Sequence, residues 1–560
     1  MHQNANYFCT WHLMYWLPSH CDTPGLQSRD VLCDELLFGE NGIARKHYPE
    51  VRKDLYLLLD DGWDVRASHA LPESEWFEPY IGSCQLSKEK FPGGSDSPCY
   101  GGTPPERLKT LVNKVKSIGW KGLGIWISPT VSYAPDVEGS GGSFASFWRA
   151  RMEWSKYAGV SYWKADWGDY DMSDRHRKLL SALKEEIYPE LIMEHVYNRR
   201  AYNKHGGESR FALSMQRHRL AYSDVLRLYD VAFALSIPTT LSRAAALLSH
   251  PVRIKPGCMG LINAEDEVYL GAALGLAFGV MRFDIGGYPI NSGPNWAFGG
   301  ERCFPAARPA RRQHDEVLRA VRWQSQFAPA FKADLGNTYV SQGSAEDSWN
   351  FTKDETWESA LCRGKDTAQS APQVTARNVG APEIAACDEA PPYLVACRNP
   401  NGALSAAALG RVAPQRGYFA PKADVQWNIG ANSGAIGIFG YFRSLTLVFD
   451  QAIESKKIYA RDLLQDDFAD VTNEVRAKGN SVILDGAWME RLCKNRPGDF
   501  SEPGLVIQIG GEFTQVETPM AKIKRPAFNW LYIAQLNIAA AFKISALKIN
   551  KRKKHRGYIS

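Results

Sequence analysis

The fold of this 560-residue chain is indicated most clearly by the segment Val160-Ser161-Tyr162-Trp163-Lys164-Ala165-Asp166. It is a short apolar run that ends in charged residues, and segments with amphipathic helical periodicity lie on both sides of it. This combination is typical of a strand in a parallel βαβ unit. Lys164 and Asp166 are two positions apart, so an extended strand projects both side chains to the same side, while Trp163 and Ala165 face the neighbouring helices.

Seven more apolar runs of this kind lie in residues 1–330, again with helical segments between them. Eight strands that alternate with helices predict an α/β protein with a (β/α)8 TIM barrel, which we assign to residues 1–335. Boundary signals predict one helix from Pro104-Pro105-Glu106 to Gly119 and another from Ser173-Asp174 to Tyr188-Pro189. The predicted strands span 7–11, 55–61, 122–128, 160–166, 191–196, 220–225, 260–266 and 276–284.

The sequence changes character beyond a predicted helix over 316–332. Residues 336–390 are rich in Ser, Thr, Ala, Pro and Gly with little periodicity, and we interpret them as a linker or decorated loop. Short β-type runs separated by turn residues then predict a C-terminal antiparallel β-sandwich domain over 391–515, and a basic, partly apolar tail follows over 516–560. The predicted sandwich strands span 392–398, 403–410, 435–439, 444–449, 481–484 and 504–509.

Charge is distributed unevenly along the chain. The formal net charge is +5, but residues 520–560 hold ten Lys and Arg and no Asp or Glu, so the rest of the chain is acidic. An acidic body does not suggest a nucleic-acid partner. Within the tail, residues 528–549 are apolar, but Gln535, Asn537, Lys543 and Lys548 interrupt them. This favours a disordered or loosely docked tail over a membrane segment, with an interfacial amphipathic helix as the alternative.

The cysteines and the first residues bear on metal binding and targeting. The eleven cysteines are scattered and form no CxxC or Cys/His ligand spacing, so we predict neither a metal site nor a disulfide framework. The start Met1-His2-Gln3-Asn4 lacks the basic and apolar regions of a secretory signal. We therefore expect a cytoplasmic enzyme.

Polar or aromatic side chains stand at the end of every predicted barrel strand. The carboxyl ends of barrel strands meet at one open face above a packed interior, so such residues are candidates for a shared site. A barrel that serves only as a scaffold would not need so many carboxylates in one mouth. The candidates are Trp11, Asp60 and Asp61, Trp126, Lys164 and Asp166, Glu194 and Tyr197, Asp224, Asp266 and Asp284.

Asp166 is the candidate nucleophile. The ammonium of Lys164 beside it would keep the carboxylate ionised at neutral pH, as attack on an anomeric carbon requires; a salt bridge at a strand end is the structural alternative. Asp224 at the end of the sixth predicted strand favours catalysis, because retaining glycoside hydrolysis needs a general acid that later activates water. Asp230 is the rival for that role, but it falls where the next helix should begin.

The remaining strand-end residues suit sugar binding, and each has a structural alternative. Asp60 and Asp61 are adjacent, so they suit hydrogen bonds to neighbouring sugar hydroxyls, with a metal site or an Asp-Gly turn as the alternatives. Glu194 and Tyr197 could bind another ring hydroxyl or be ordinary loop residues. Asp266 at the end of strand seven has a structural loop role as its alternative.

In their order along the chain, these segments resemble the retaining α-galactosidases of glycoside hydrolase family 27, the melibiase family, over about residues 7–330. Each motif is short, but the ordered set is specific. The motifs that carry the resemblance are Leu59-Asp60-Asp61-Gly62-Trp63, Lys164-Ala165-Asp166, Glu194-His195-Val196-Tyr197, Ser223-Asp224-Val225 and Asn263-Ala264-Glu265-Asp266.

The resemblance implies removal of a terminal α-linked galactose from a carbohydrate substrate, with retention and without a cofactor. It implies that Asp60 and Asp61 bind the distal hydroxyls of the sugar and that Lys164 lies near them. It also implies that Trp11 forms an apolar wall and that Glu194 binds the 2-hydroxyl and favours galactose.

The chain departs from the family pattern at several points. The cysteine pairs around the site are not reproduced, and Trp126 stands where a tyrosine is usual. The arginine before the acid/base falls one position off, which leaves Arg219 or Arg217 in its place. Two alternatives stay open: the same mechanism on a β-L-arabinopyranoside or an α-N-acetylgalactosaminide, and a carbohydrate-binding barrel without catalysis.

Overall fold

Eight short parallel strands follow one another along the first half of the described chain in the computed structural model. They are β1 (Tyr7–Cys9), β2 (Tyr56–Leu59), β3 (Gly122–Ile127), β4 (Tyr162–Ala165), β5 (Ile192–Val196), β6 (Val225–Arg227), β7 (Leu261–Asn263) and β8 (Gly279–Val280). From β1 to β7, each strand pairs with the next one in the chain, and β8 pairs with β1. A parallel bridge between Asn263 and Ala277 joins β7 to the segment before β8. The sheet therefore closes into the predicted (β/α)8 barrel. The structure describes residues 4–20, 26–70, 78–93, 100–196, 210–228, 236–281, 314–334, 338–340, 344–349, 367–413, 417–431, 434–497 and 499–510.

Helices connect the strands and cover the barrel. The predicted boundaries of the helix that begins at Pro104 are confirmed: the backbone N–H of Thr103 donates to Glu106 Oε2 at 2.8 Å, and Gly119 follows the last turn with a φ of 102°. The helices that precede the C-terminal domain are α1 (Trp11–His20), α2 (Asp34–Phe38), α3 (Ile43–Lys46), α4 (Pro104–Ser117), α5 (Phe144–Ala158), α6 (Asp174–Ile187), α7 (Arg210–Leu220), α8 (Ser236–Leu248), α9 (Val268–Leu274) and α10 (His314–Gln326).

The sixth strand begins later than the sequence predicts. Residues 220–225 were expected to form it, but α7 continues through Leu220 and β6 begins at Val225. Leu220 and Tyr222 are buried, so they belong to an apolar run whose pattern does not separate a helix end from a strand. The shift moves Asp224 from the carboxyl end of the strand to its amino end.

A β-sandwich of two facing sheets follows the barrel, as predicted. The larger sheet has the strand order β22-β21-β25-β19-β15-β14-β12-β9 and the smaller one β13-β18-β20-β24-β23. Most neighbours are antiparallel, while β12 with β14, β15 with β19, and β18 with β20 are parallel. The strands of these two sheets are β9 (Thr338–Val340), β12 (Val374–Arg377), β13 (Glu383–Cys387), β14 (Tyr393–Arg398), β15 (Leu404–Leu409), β18 (Ala423–Gly430), β19 (Ile436–Gly440), β20 (Ser444–Phe449), β21 (Ile458–Asp462), β22 (Ala469–Asp470), β23 (Arg476–Lys478), β24 (Ser481–Asp485) and β25 (Gly504–Ile509).

The interpretation of residues 336–390 as a linker or decorated loop is corrected where the structure describes them. β9, β12 and β13 from this interval belong to the two sheets of the sandwich, and β10 (Ser344–Trp349) pairs with β11 (Thr367–Pro372). Short strands rich in Ala, Ser and Thr lack a clear apolar alternation, so their pattern reads as loop. Two further elements complete the domain: the hairpin of β16 (Arg411–Ala413) and β17 (Gly417–Phe419), and the helix α11 (Gly486–Leu492).

The barrel and the sandwich share an interface built around α10. Arg319 on this helix donates two bonds to Asp462 at the end of β21, at 2.7 and 2.8 Å, and both side chains are buried. The ring of Trp323 lies so close to Gly437 on β19 that a Cβ there would come within 2.9 Å of it. One apolar core therefore runs from the helices of the barrel into the larger sheet.

In the described ranges, no helix combines the length and the apolar character needed to cross a bilayer. The apolar stretch 528–549 that raised this question lies outside the described residues.

Candidate active site

The carboxyl ends of the barrel strands bring several of the predicted residues together. Asp60 follows β2 directly, Asp166 follows β4, and Lys164 is the third residue of β4. Lys164 and Asp166 lie on the same side of the strand, as predicted, with Nζ 3.7 Å from Asp166 Oδ2. Trp163 points the other way and donates to Ser155 on α5 at 3.1 Å.

Asp166 is held between cations and remains open to solvent. Arg227 donates to its Oδ2 at 2.9 Å, and Arg177 donates to its backbone carbonyl at 2.6 Å. Burial opposes ionisation, but Arg227, Lys164 and Arg177 outweigh it and lower the pKa of Asp166. The side chain is 14% exposed, whereas Asp60 is 2% exposed. Asp166 thus combines a negative charge with access from the mouth.

Arg227 also contacts Asp166, and its place at the site was not predicted from the sequence. It is the last residue of β6, fully buried, and its Nε lies 3.5 Å from Glu265 Oε1 and 3.9 Å from Glu194 Oε1. One guanidinium therefore joins three carboxylates, including Asp166, across the mouth. The misplaced sixth strand hid this residue. The available signal was an arginine flanked by Leu226 and Leu228 in an apolar segment.

Asp60 is the partner of Lys164. The Nζ of Lys164 lies 2.5 Å from Asp60 Oδ2, and the thiol of Cys9 donates to the same oxygen at 3.0 Å. Burial favours the neutral amine, but the charges of Asp60 and Asp166 raise the pKa of Lys164 above its usual value. The two carboxylates that flank Lys164 thus keep it protonated.

Asp61 lies beside Asp60 and is engaged by Arg29. The guanidinium donates through Nε to Oδ1 at 3.0 Å and through Nη2 to Oδ2 at 2.6 Å. Burial raises the pKa of Asp61 in spite of this pair. Because cations occupy both Asp60 and Asp61, the alternative of a metal site at this turn is disfavoured.

Glu194 lies deeper than the resemblance implies. It is fully buried on β5, where Tyr162 donates to it at 2.7 Å, Asn263 at 2.7 Å and Tyr7 at 3.3 Å. Burial raises its pKa. These contacts engage both carboxylate oxygens inside the barrel, and the side chain has no exposed surface at which the 2-hydroxyl of a sugar could meet it in this structure.

The aromatic candidates lie at the first and third strands. Trp11 begins α1 two residues after β1 and packs, partly buried, against the interior of the barrel. Trp126 on β3 is buried, its ring lies 5.3 Å from the exposed ring of Trp167, and its Nε1 has no hydrogen-bond partner among the described residues. Asp266 follows β7 and accepts a bond from the backbone of Met281 at 2.6 Å.

Asp224 is not part of this site, which corrects the prediction that it is the acid/base. It precedes β6, so it lies at the opposite end of the parallel barrel from Asp166. Its carboxylate is buried, lies 3.1 Å from Lys184 Nζ and accepts backbone bonds from Met193 at 2.9 Å and Met259 at 3.2 Å. These contacts define a structural carboxylate that fastens two neighbouring strands.

Arg219 is likewise displaced from its predicted place. It lies on α7, where it donates to Asp174 of α6 at 3.2 and 2.9 Å and to the carbonyl of Val196. Its charge therefore joins two outer helices and does not face Asp166. Tyr197 and Asp230 lie outside the described residues.

Three residues with metal-type ligand atoms cluster away from the mouth. They are His314, Asp315 and Asp499, and among the described residues they are the group that satisfies this geometry. Arg496 donates its backbone N–H to Asp315 at 2.9 Å, and its side-chain Nε lies 3.2 Å from the same carboxylate. A cation would have to displace this arginine, so the cluster reads as a salt-bridge network.

The fold and the site define a class: a (β/α)8 barrel with a C-terminal β-sandwich, whose mouth holds ion-paired carboxylates around an accessible aspartate. No protein-family model and no curated protein matches the chain. Similar solved structures do include members of the family that the sequence resembles.

For three of these structures, we give the sequence identity, the share of each chain that is covered and the TM-score. α-Galactosidase I from Mortierella vinacea is 11% identical, with 90% of this chain and 96% of that chain covered and a TM-score of 0.35. A family 27 β-L-arabinopyranosidase from Geobacillus stearothermophilus is 8% identical, with 84% and 91% covered and a TM-score of 0.34. An α-galactosidase from Saccharomyces cerevisiae with raffinose is 10% identical, with 90% and 96% covered and a TM-score of 0.35. At these values, any argument about function rests on the site.

Proposed function

We propose that this protein is a retaining glycoside hydrolase that releases terminal α-linked galactose from oligosaccharides or glycoconjugates. The observation that carries the proposal is the setting of Asp166, an accessible carboxylate at a strand end whose charge Arg227 and Lys164 maintain. A carboxylate nucleophile needs this combination of charge, access and fixed position.

The reaction proceeds in two displacements. Asp166 forms a bond to the anomeric carbon while the glycosidic carbon–oxygen bond breaks, and a general acid gives its proton to the leaving oxygen. Water then attacks the same carbon, gives a proton to the carboxylate that acted as general acid in the first step, and the bond from that carbon to Asp166 breaks. We assign the acid/base role to Asp230, which follows the carboxyl end of β6 by three residues in the sequence, whereas Asp224 precedes that strand.

The sugar would be bound by the residues beside Asp166. Asp60 and Asp61 supply carboxylate oxygens for hydroxyl groups, and their pairing with Lys164 and Arg29 keeps these oxygens in fixed positions. Trp11 and the exposed ring of Trp167, which lies 5.3 Å from the buried ring of Trp126, supply aromatic surface against which the apolar face of a sugar ring can pack.

The second candidate function is the same reaction on another sugar, and one observation supports it. Glu194, the residue that the resemblance assigns to the 2-hydroxyl, is buried and hydrogen-bonded on both oxygens. Discrimination at the 2-position therefore does not rest on an accessible Glu194, and β-L-arabinopyranosides and α-N-acetylgalactosaminides are the substrates to compare with α-galactosides.

A panel of nitrophenyl glycosides tests the proposal. We expect wild-type protein to prefer the α-galactoside and Asp166→Asn to lose hydrolysis by a factor of about 10⁴ or more, while the sugar still binds. Asp169→Asn is the matched control, because Asp169 is an exposed aspartate of the same loop. Preference for another sugar would overturn the substrate assignment. Sugar binding with no hydrolysis by the wild type would favour the non-catalytic barrel.

A further inference from the structure

Arg29 makes two hydrogen bonds to Asp61, a proposed sugar-binding residue that lies 32 positions further along the chain. It lies in a short 3-10 helix, Ser28–Val31, and its guanidinium donates to both carboxylate oxygens of Asp61. The side chains of Arg29 and Asp61 are 21% and 9% exposed, so the pair lies largely out of solvent. A planar fork on both oxygens fixes the rotation of the carboxylate as well as its position.

Lys90 holds the backbone on both sides of this pair. Its buried Nζ donates to the carbonyl of Arg29 at 3.2 Å and to the carbonyl of Gly62, the residue after Asp61. The backbone carbonyl of Lys90 in turn accepts from Asp34 at 2.9 Å. The segment that carries Arg29 and the turn that carries Asp61 are therefore joined by their main chains as well as by the ion pair.

Gly62 provides the space that this arrangement needs. Its φ is +108°, and a Cβ at this position would lie 2.5 Å from Cγ and 2.8 Å from Cβ of Arg29. The stem of Arg29 thus passes directly over the glycine, and a side chain there would push the guanidinium away from Asp61.

We propose that Arg29 is a positioning residue for substrate binding, and that Arg29, Lys90 and Gly62 form a clamp that sets the Asp61 carboxylate before the sugar arrives. The inference rests on the proposed function, because it takes Asp61 as a ligand of the sugar. An ionised carboxylate accepts about four hydrogen bonds, so two from Arg29 leave capacity for hydroxyl groups. The clamp touches Asp61 and not Asp166, so its loss weakens binding more than it slows chemistry.

The test compares Arg29→Ala and Arg29→Lys with Arg66→Ala. Arg66 lies in the β2–α4 connection that also carries Asp61 and forms a more exposed pair with Glu89 at 3.1 Å, so it controls for removal of an arginine that pairs near this turn without contacting Asp61. We expect Arg29→Ala to raise KM and the Kd for galactose about 10- to 100-fold with kcat within about threefold of wild type. Arg29→Lys should restore part of this loss, and Arg66→Ala should change neither constant.

Gly62→Ala is the second variant, since it disturbs the clamp without changing a charge. It should raise KM in the same direction as Arg29→Ala, and it keeps the proposal testable if Arg29→Ala does not fold. If Arg29→Lys and Gly62→Ala have the same KM and the same Kd for galactose as the wild type, the clamp is overturned. Hydrolysis by the wild type would still support the proposed function in that case. Absence of hydrolysis by the wild type would overturn the proposed function, and the galactose Kd measured by calorimetry would still decide the clamp.

Discussion

At the scale of single residues, the charge of Asp166 depends on two cations that it shares with other carboxylates. Arg227 lies 2.9 Å from the Asp166 carboxylate and Lys164 lies 3.7 Å from it, so Arg227 is the closer cation for the proposed nucleophile, and Lys164 is closer to Asp60 at 2.5 Å. The sequence predicted Lys164 from its spacing of two along the strand. It could not reveal Arg227, because that contact joins β4 to β6 across the barrel and depends on where β6 begins.

Arg227→Lys should move the acidic limb of the pH–rate profile. Lysine keeps a positive charge in the barrel but loses the bond to Asp166, so the lowered pKa of Asp166 rises toward its usual value. Since the ionised form is the active one, activity is lost at a higher pH as the solution is acidified. We expect the acidic limb of kcat/KM to move up by about one pH unit.

Arg149→Lys is the control for this measurement. Arg149 makes a two-bond pair with Glu186 between α5 and α6, at 2.7 Å for each bond, away from the mouth. Its profile should match wild type, and an unmoved limb in Arg227→Lys would contradict the assigned role of Arg227.

Asp224→Asn and Asp230→Asn should separate a structural carboxylate from a catalytic one. Asn at 224 removes one of the two carboxylates that pair with buried Lys184 and leaves Glu185 at 2.7 Å, so we expect it to lower the free energy of unfolding by about 1–3 kcal/mol while the folded enzyme keeps its kcat. Asn at 230 should lower kcat by a factor of about 10² to 10⁴. Thermal melts and steady-state rates of both variants measure these effects. A loss of kcat in Asp224→Asn with an unchanged kcat in Asp230→Asn would assign the acid/base role to Asp224.

At the scale of elements, the sequence predicted all eight barrel strands but misplaced the start of the sixth, and it predicted six of the thirteen described strands in the two sheets of the sandwich. Strands such as β3 and β4 could be predicted because each is a short apolar run between two segments with helical periodicity, and this pattern is visible in the local sequence. The end of α7 and the start of β6 fall within one apolar run, and only packing decides where the helix stops. That single shift placed Asp224 at the wrong end of the barrel and hid Arg227.

Gly168→Ala should disturb the loop that carries Asp166. A Cβ on Gly168 would lie 2.3 Å from Ser128 Oγ and 2.6 Å from Thr130 Oγ1, so the loop after β4 would have to move away from the loop after β3. We expect a loss of about 1–3 kcal/mol in unfolding free energy and a lower kcat/KM. Gly101→Ala, where a Cβ meets nothing within 4 Å, should leave both unchanged. Equal behaviour of the two variants would contradict the tight packing of this loop.

At the scale of the whole molecule, a buried interface joins the sandwich to the barrel. The pair of Arg319 with Asp462 and the contact of Trp323 with Gly437 both lie in the interface between them. The composition of the sequence indicated two domains, but it could not predict the interface between them. The contact of α10 with β21 joins residues that are 143 positions apart, and such a contact produces no local sequence pattern.

Arg319→Ala should therefore destabilise both domains together. Loss of the buried pair should lower the free energy of unfolding by about 3–5 kcal/mol. Arg322→Ala, on the same helix but paired with the exposed Asp466, should cost less than about 1 kcal/mol. Denaturant unfolding followed by tryptophan fluorescence measures both, and similar losses in the two variants would contradict the role of the interface.

The most direct test of the central claim is to trap the covalent intermediate. Wild-type protein is incubated with a fluorinated galactosyl inactivator, digested, and the labelled peptide is mapped by mass spectrometry. We expect one fluorinated galactosyl group on the peptide that contains Asp166, carried by Asp166, and no label in Asp166→Asn. A label on any other carboxylate would contradict it.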